Sequence, residues 1–158
     1  MKGSNTNIEI IPFRGELAVH FTTLNTAWLQ KYFVVEPLDE QMLASPKEFF
    51  IDKGGFIFFA KVDEAIAGTF ALLKEPGNIY ELSKMAVDEK YQGMKIGNRM
   101  MEYCIAEANE LKAAKIILYS NTKLAPAIHL YKKYGFIEVP VKSALYKRAD
   151  IKMERALP

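Results

Sequence analysis

Cysteine is almost missing from this chain: Cys104 is the only one in 158 residues, which rules out an intrachain disulfide and any zinc site built from several thiolates. A single thiol also suits a reducing compartment, and a cytoplasmic location is expected. Histidine is nearly as scarce, and neither His20 nor His129 has the partners at metal-ligand or triad spacing that would make it a metal or catalytic site. No metal is expected. Long apolar runs are absent too. The longest, Ala65 to Leu73, is broken by Gly68 and Thr69 and has the length of a buried strand, so neither a membrane span nor membrane association is expected. Residues 1–7 are polar and read as flexible, and no secretory leader is expected there. No excess of one charge exists: 21 basic residues against 19 acidic ones give a net +2, too little to imply a nucleic-acid partner. Lys142, Lys147, Arg148, Lys152 and Arg155 read as a solvated face. The chain also has no G-x-G-x-x-G, no Gly-Lys-Ser/Thr loop, no G-x-S-x-G and no H-E-x-x-H. A dinucleotide oxidoreductase, a P-loop enzyme, a serine hydrolase and a zinc protease are thereby disfavoured.

What is present is a hydrophobic fraction of 50%, enough for one domain spanning residues 1–158. Ile8 to Phe13 reads as a strand, and the spacing of Leu17, Phe21, Leu24, Trp28 and Tyr32 predicts a helix to Phe33. A second helix is expected from Asp39. Phe56 to Val62 and Ala65 to Leu73 flank Asp63-Glu64, a hairpin signal, and Pro76-Gly77 marks the next turn. In Ile79 to Val87 the alternation slips: Tyr80 and Leu82 share one parity, Met85 and Val87 the other. A bulge near Ser83-Lys84 restores all four to one side. Ile96, Met100, Cys104, Ala108 and Leu111 form the stripe of an amphipathic helix, on which Cys104 packs rather than reacts. Lys115 to Tyr119 reads as a strand, Asn121 or Thr122 as the cap of a helix with Pro126 in its first turn, and Gly135 as its C-terminal stop. Phe136 to Val139 and the stretch through Ala149, Ile151 and Met153 supply two last strands.

Two motifs carry more. Gln92-Gly93-Met94-Lys95-Ile96-Gly97 follows the bulged strand Glu81-Leu82-Ser83-Lys84-Met85-Ala86-Val87 and opens a helix, whose free amides and positive end suit a pyrophosphate. Ala127-Ile128-His129-Leu130-Tyr131-Lys132-Lys133-Tyr134-Gly135-Phe136 follows in the next helix. The first resembles the Q/R-x-x-G-x-G/A loop of the GNAT superfamily of N-acetyltransferases, and the second its A-x-x-L-Y-x-x-x-G-F run. There are two departures. Lys95 stands for the middle glycine, where a positive φ would be costly, and Leu124 stands where many relatives carry asparagine.

The resemblance implies a mixed α/β fold of the GNAT acyl-CoA N-acyltransferase type, with a mostly antiparallel sheet, one splayed parallel strand pair and flanking helices. It implies transfer of acetyl from acetyl-CoA to a primary amine by direct attack through a tetrahedral intermediate. In the cofactor site, backbone at Met85, Ala86 and Val87 would meet the pantetheine arm, and amides of Gln92, Gly93, Met94, Lys95, Ile96, Gly97 and Asn98 the pyrophosphate. Asn121, Ala127 and Tyr131 would complete the site. Tyr131 would protonate the departing thiolate, Val87 N–H would hold the oxyanion, and Glu81 would deprotonate the amine, unless it merely faces solvent or pairs with Lys84. Asn25, Trp28, Tyr32, Glu36 and Asp39 fall in the acceptor-binding segment, with Glu36 and Asp39 drawing in a cationic amine; the aromatics there also read as a helix core stripe. The acceptor is expected to be a small-molecule or peptide amine, and a homodimer is common in the family. A CoA-binding module without turnover is the other reading.

Overall fold

The structure, a computed structural model, describes residues 7–142 and 146–158; the expectation of flexibility for 1–7 falls almost wholly outside them. Seven strands form one sheet in the order β1-β2-β3-β4-β5-β7-β6. They are β1 (Ile8–Pro12), β2 (Phe56–Val62), β3 (Ala65–Glu75), β4 (Ile79–Val87), β5 (Lys115–Ser120), β6 (Ile137–Val139) and β7 (Ile151–Ala156). All neighbours are antiparallel except β4 and β5. The helices are α1 (Ala18–Tyr32), α2 (Pro37–Ala44), α3 (Ile96–Glu110) and α4 (Ala125–Lys133). The expected fold class and element order hold.

β2 and β3 are buried on both faces, which explains their nearly unbroken apolar sequence. Phe58, Ala60 and Val62 point to the core under α3, whereas Ile57 and Phe59 point to a second core with Phe21 and Leu29 of α1 and Met42 and Leu43 of α2. The hairpin turns at Asp63-Glu64, with Asp63 at φ 53°. Gly68 matters for a different reason. A β-carbon there would lie 3.2–3.3 Å from Ala86 O, Met100 Sδ and Ile96 Cγ2, so a bare backbone lets the first turn of α3 sit directly on β3 and β4.

Three expectations need adjusting at helix ends. α2 begins at Pro37, not Asp39, because Glu36 and Asp39 form a reciprocal capping box around a proline first turn. A π-helical turn, Lys47–Ile51, follows it and was not foreseen. Neither Asn121 nor Thr122 caps α4: Leu124 occupies that position without a side-chain bond, while Thr122 is held by Asp150. The C-terminal end behaves as expected. Gly135 at φ 91° lets its own N–H reach Lys132 O and that of Phe136 reach Tyr131 O, the paired bonds of a Schellman stop.

Asp39 is fully buried and ties the helical layer to the sheet. Its Oδ1 accepts from Lys84 Nζ (2.6 Å) and Arg148 Nη2 (2.8 Å), its Oδ2 from Arg148 Nη1 (2.7 Å) and the Glu36 amide (2.9 Å). Burial alone would raise its pKa, but the Arg148 and Lys84 bonds outweigh that and lower it to about 2. Asp39→Asn would leave two enclosed cations short of their counter-ion. We expect a loss of about 3–5 kcal/mol in urea unfolding at neutral pH. The contribution of a carboxyl with a lowered pKa is complete above its ordinary 3.8 and fades as pH falls toward about 2, so the deficit should be flat from pH 5 to 8.

Candidate functional site

β4 and β5 pair only at Ile79–Lys115, Tyr80–Ile116 and Glu81–Ile117, and then diverge. The split begins at Glu81, just before the expected bulge rather than beyond it. The bulge itself is present. Register slips between the Thr69–Ala86 and Ala71–Ser83 pairs, and Lys84 takes φ 56°. Tyr80, Leu82, Met85 and Val87 consequently all pack toward the α3 core. Asp88 N donates to Ala67 O (2.8 Å), and hydrogen-bonded pairs alternate along an antiparallel ladder. Ala86 therefore faces β3, leaving the N–H and C=O of Val87 turned toward the slot.

At the mouth of the slot, the chain turns into α3. Gly93 has φ 84° and Lys95 φ 61°, so Lys95 adopts the left-handed conformation whose cost the sequence flags. Among the described residues, the main-chain amides of Gly93, Met94, Lys95, Ile96, Gly97 and Asn98 have no protein acceptor. Gln92 is the exception to the expected set, because its N–H is already spent on Glu89 O (3.2 Å). Six successive free amides at a helix N-terminus make an anion cradle.

Inside the slot lies a cavity of about 90 Å³ whose lining includes Glu81, Met85, Asn121 and Tyr131, with Asn25 and Trp28 from α1. Glu81 is 5% exposed. Burial, and then the neighbouring carboxylate of Glu75, raise its pKa from 4.5 to about 7 against the pull of Lys84. Tyr131 is half-buried beside Phe136, with ring centroids 6.1 Å apart. Its hydroxyl has no protein partner among the described residues. Burial, with Cys104 close by, pushes the phenol up to about 12, so it stays protonated at neutral pH. Cys104 has no exposure, and burial raises its thiol to about 12 as well, which removes it as a nucleophile.

Other expected positions fall elsewhere. Glu36 and Asp39 do not line the cavity: Asp39 is enclosed as above, and Glu36 accepts from the main chain of Lys147 (3.0 Å) and Arg148 (3.3 Å). Their negative charge is spent internally, so the idea that they draw in a cationic amine is not supported. Tyr32 leans on Trp28 (5.3 Å) outside the cavity, and Ala127 lies half-buried near the start of α4. Asn121 reaches the cavity wall, yet its Nδ2 donates to Arg148 O (2.6 Å) and its Oδ1 accepts from Lys123 N (2.9 Å). Its work is to fasten two segments, which leaves only one amide proton for a cofactor. Arg148 and Arg155 do not belong to a solvated face either. The first is ion-paired inside, and the second donates to Tyr134 O (2.8 Å).

Residues 22–136 match the profile of the Acetyltransferase (GNAT) family. The chain belongs to this family. Its enzymes are acyltransferases that use acetyl-CoA. Among relatives, an uncharacterized N-acetyltransferase of Schizosaccharomyces pombe is 24% identical over 96% of this chain and 98% of its own length. One from Dictyostelium discoideum is 35% identical, but only over 60 residues, 38% of this chain and 28% of that protein. The crystal structure of a GNAT acetyltransferase from Staphylococcus aureus superposes with a TM-score of 0.86 at 22% identity, covering 96% of this chain and 100% of that one. A GNAT acetyltransferase from Elizabethkingia anophelis with acetyl-CoA bound superposes at 0.74 with 19% identity, covering 96% and 99%. For the family's cofactor, this chain offers two fitting features: the unpaired amides of 93–98 and the open β4 edge at Val87.

Sequence reasoning missed Lys84, Tyr146 and Arg148 as cavity residues. The slipped alternation drew attention to Lys84, but nothing local pointed to a partner 45 residues away.

Two outcomes follow for the GNAT site. A carboxyl whose pKa is raised in the fold destabilises as pH climbs from 4.5 through about 7. Glu81→Gln should therefore match the wild type in unfolding free energy, read by urea denaturation, near pH 4.5 and exceed it at pH 8 by up to about 3 kcal/mol. Lys95→Gly should relieve about 1 kcal/mol of left-handed strain, read as a rise of about 2–4 °C in melting temperature.

Proposed function

We propose that this protein transfers an acetyl group from acetyl-CoA directly to a primary amine, with Glu81 as base, Val87 N–H as oxyanion donor and Tyr131 as acid. The observation that carries this reading is one cavity lined by both a carboxyl poised near neutrality and a protonated phenol, between strands that have let go of each other.

Acetyl-CoA supplies a thioester whose carbonyl carbon accepts the amine. The amine arrives as an ammonium and must lose a proton before it can attack. A carboxyl with a pKa near 7 is suited to that, because it is substantially ionised at neutral pH yet basic enough to hold the proton. A nitrogen–carbon bond forms as the carbon–sulfur bond breaks. Charge growing on the carbonyl oxygen needs a fixed donor, and the slot-facing Val87 N–H is one. The sulfur leaves with a proton from Tyr131, whose unpartnered hydroxyl borders the cavity. Of the two protons the ammonium gives up overall, one is balanced on the thiol and the other leaves by way of Glu81.

A cavity of about 90 Å³ favours a small acceptor. Tyr131→Phe should lower kcat for CoA thiol release by roughly 10²–10⁴-fold while acetyl-CoA affinity changes little. Equal rates would remove Tyr131 from the mechanism. In the wild type, kcat/KM should climb as pH rises through about 7, and in Glu81→Gln that limb should be lost.

A further inference from the structure

The polarity of the cavity wall is opposite to what an acidic helix end would give. Lys84 and Arg148 both line the cavity, and neither Asp39 nor Glu36 does. Lys84 and Arg148 share the carboxylate of Asp39, and Arg148 also pairs with Glu36 (3.4 Å). Glu36 is held as well by the main-chain amides of Lys147 and Arg148 and by the N-terminus of α2 that it caps. The two cations are thus matched by Asp39 and Glu36 behind them, but it is the cations, together with Glu81, that face the cavity.

Donors remain available there. Arg148 uses both protons of Nη1 and one of Nη2 on Glu36 and Asp39, so its Nε–H and the second Nη2–H have no partner among the described residues. Lys84 uses two of its three, on Asp39 and on the Tyr146 hydroxyl (3.0 Å). The lining also holds a complementary group. Asn25 is 2% exposed, its Nδ2 donates to Phe21 O (2.9 Å), and its Oδ1 accepts from nothing among the described residues. Trp28, Leu29, Phe33 and Leu124 give the wall an apolar patch beside the polar Ser83, Tyr119 and Ser120.

We propose that the acceptor is a free amino acid with an apolar side chain, its carboxylate held by Arg148 and Lys84 and its amino group received by Asn25 Oδ1 and Glu81. A polyamine would bring further cations against Lys84 and Arg148. The N-terminus of a peptide has no carboxylate beside its amine. This inference rests on the acetyl-transfer reading above.

The test compares leucine with leucinamide, phenylalanine with phenylalaninamide, and spermidine, by CoA thiol release from the full-length wild-type protein. The amides are less basic and offer more neutral amine, so any preference for the free acids comes from the carboxylate. We expect kcat/KM at least about tenfold higher for the acids. Arg148→Gln, checked for folding by its melting curve, should bring that ratio close to one. Equal or better turnover of the amides or of spermidine would overturn the inference and leave acetyl transfer standing, as would a ratio unchanged in folded Arg148→Gln. No thiol release with any of these amines would also overturn the inference, and a rise in melting temperature with acetyl-CoA would then separate a different acceptor from a failure of the acetyl-transfer reading. Should Arg148→Gln fail to fold, the wild-type ratios alone decide.

Discussion

A single buried carboxylate holds the working parts of this molecule together. Asp39 sits at the start of α2, Lys84 on the bulge of β4 and Arg148 on the segment leading into β7, and the three meet with no solvent at their centre. Enclosing an ion costs several kcal/mol, and that cost is met only when charge and hydrogen-bond geometry are both complete. Here all four contacts on Asp39 fall between 2.6 and 2.9 Å. The ring of Tyr146 adds a face against which both cations stack, at 4.5 Å for Lys84 and 4.2 Å for Arg148. This arrangement fixes where α2 sits, fastens the side chain of a strained residue, and builds one wall of the cavity.

The other wall depends on a failure of pairing. β4 follows β3 along its whole length but follows β5 for only three residues. A sheet that lets go in its middle would ordinarily leave unsatisfied peptide groups, and such groups are costly unless something else bonds to them. In the function proposed above, the pantetheine arm of acetyl-CoA is that something. The left-handed Lys84 and Lys95 lie at the two ends of the same stretch, one in the strand and one at the helix entry. Strain at both places keeps backbone groups pointed at a ligand rather than at each other.

Much of this was legible in the residues. The slip in apolar parity between Leu82 and Met85 located the bulge, because a period of two cannot be preserved across an extra residue. Gly135 and the heptad-like stripe from Ile96 fixed two helix boundaries for equally local reasons. The proposed acid–base pair, Tyr131 and Glu81, came from the resemblance to the family. What stayed hidden was long-range. Asp39 and Glu36 look like a solvated helix start when only neighbours in sequence are considered; their partners stand 109 to 112 residues downstream. Arg148 likewise looks like one member of a basic surface run. No periodicity reports that a charge will be matched by another so far along the chain. The Gln92 amide and the Asn121 side chain were misjudged for a related reason: both are consumed by nearby main-chain groups whose orientation depends on turns.

The distance in sequence between Asp39 and Arg148 also bears on how the protein comes into being. Closing a loop of more than a hundred residues is entropically slow to accomplish, and the contact it secures is one of the last to become possible during synthesis. Until the ribosome has delivered Arg148, the carboxylate of Asp39 has only Lys84 and the Glu36 amide as partners, which leaves half of its four contacts unmade. The cavity then lacks the part of its wall made by Tyr146, Arg148 and Ala149. Acquisition of a competent pocket is thus tied to arrival of the C-terminal strands, whatever the state of the earlier β-meander.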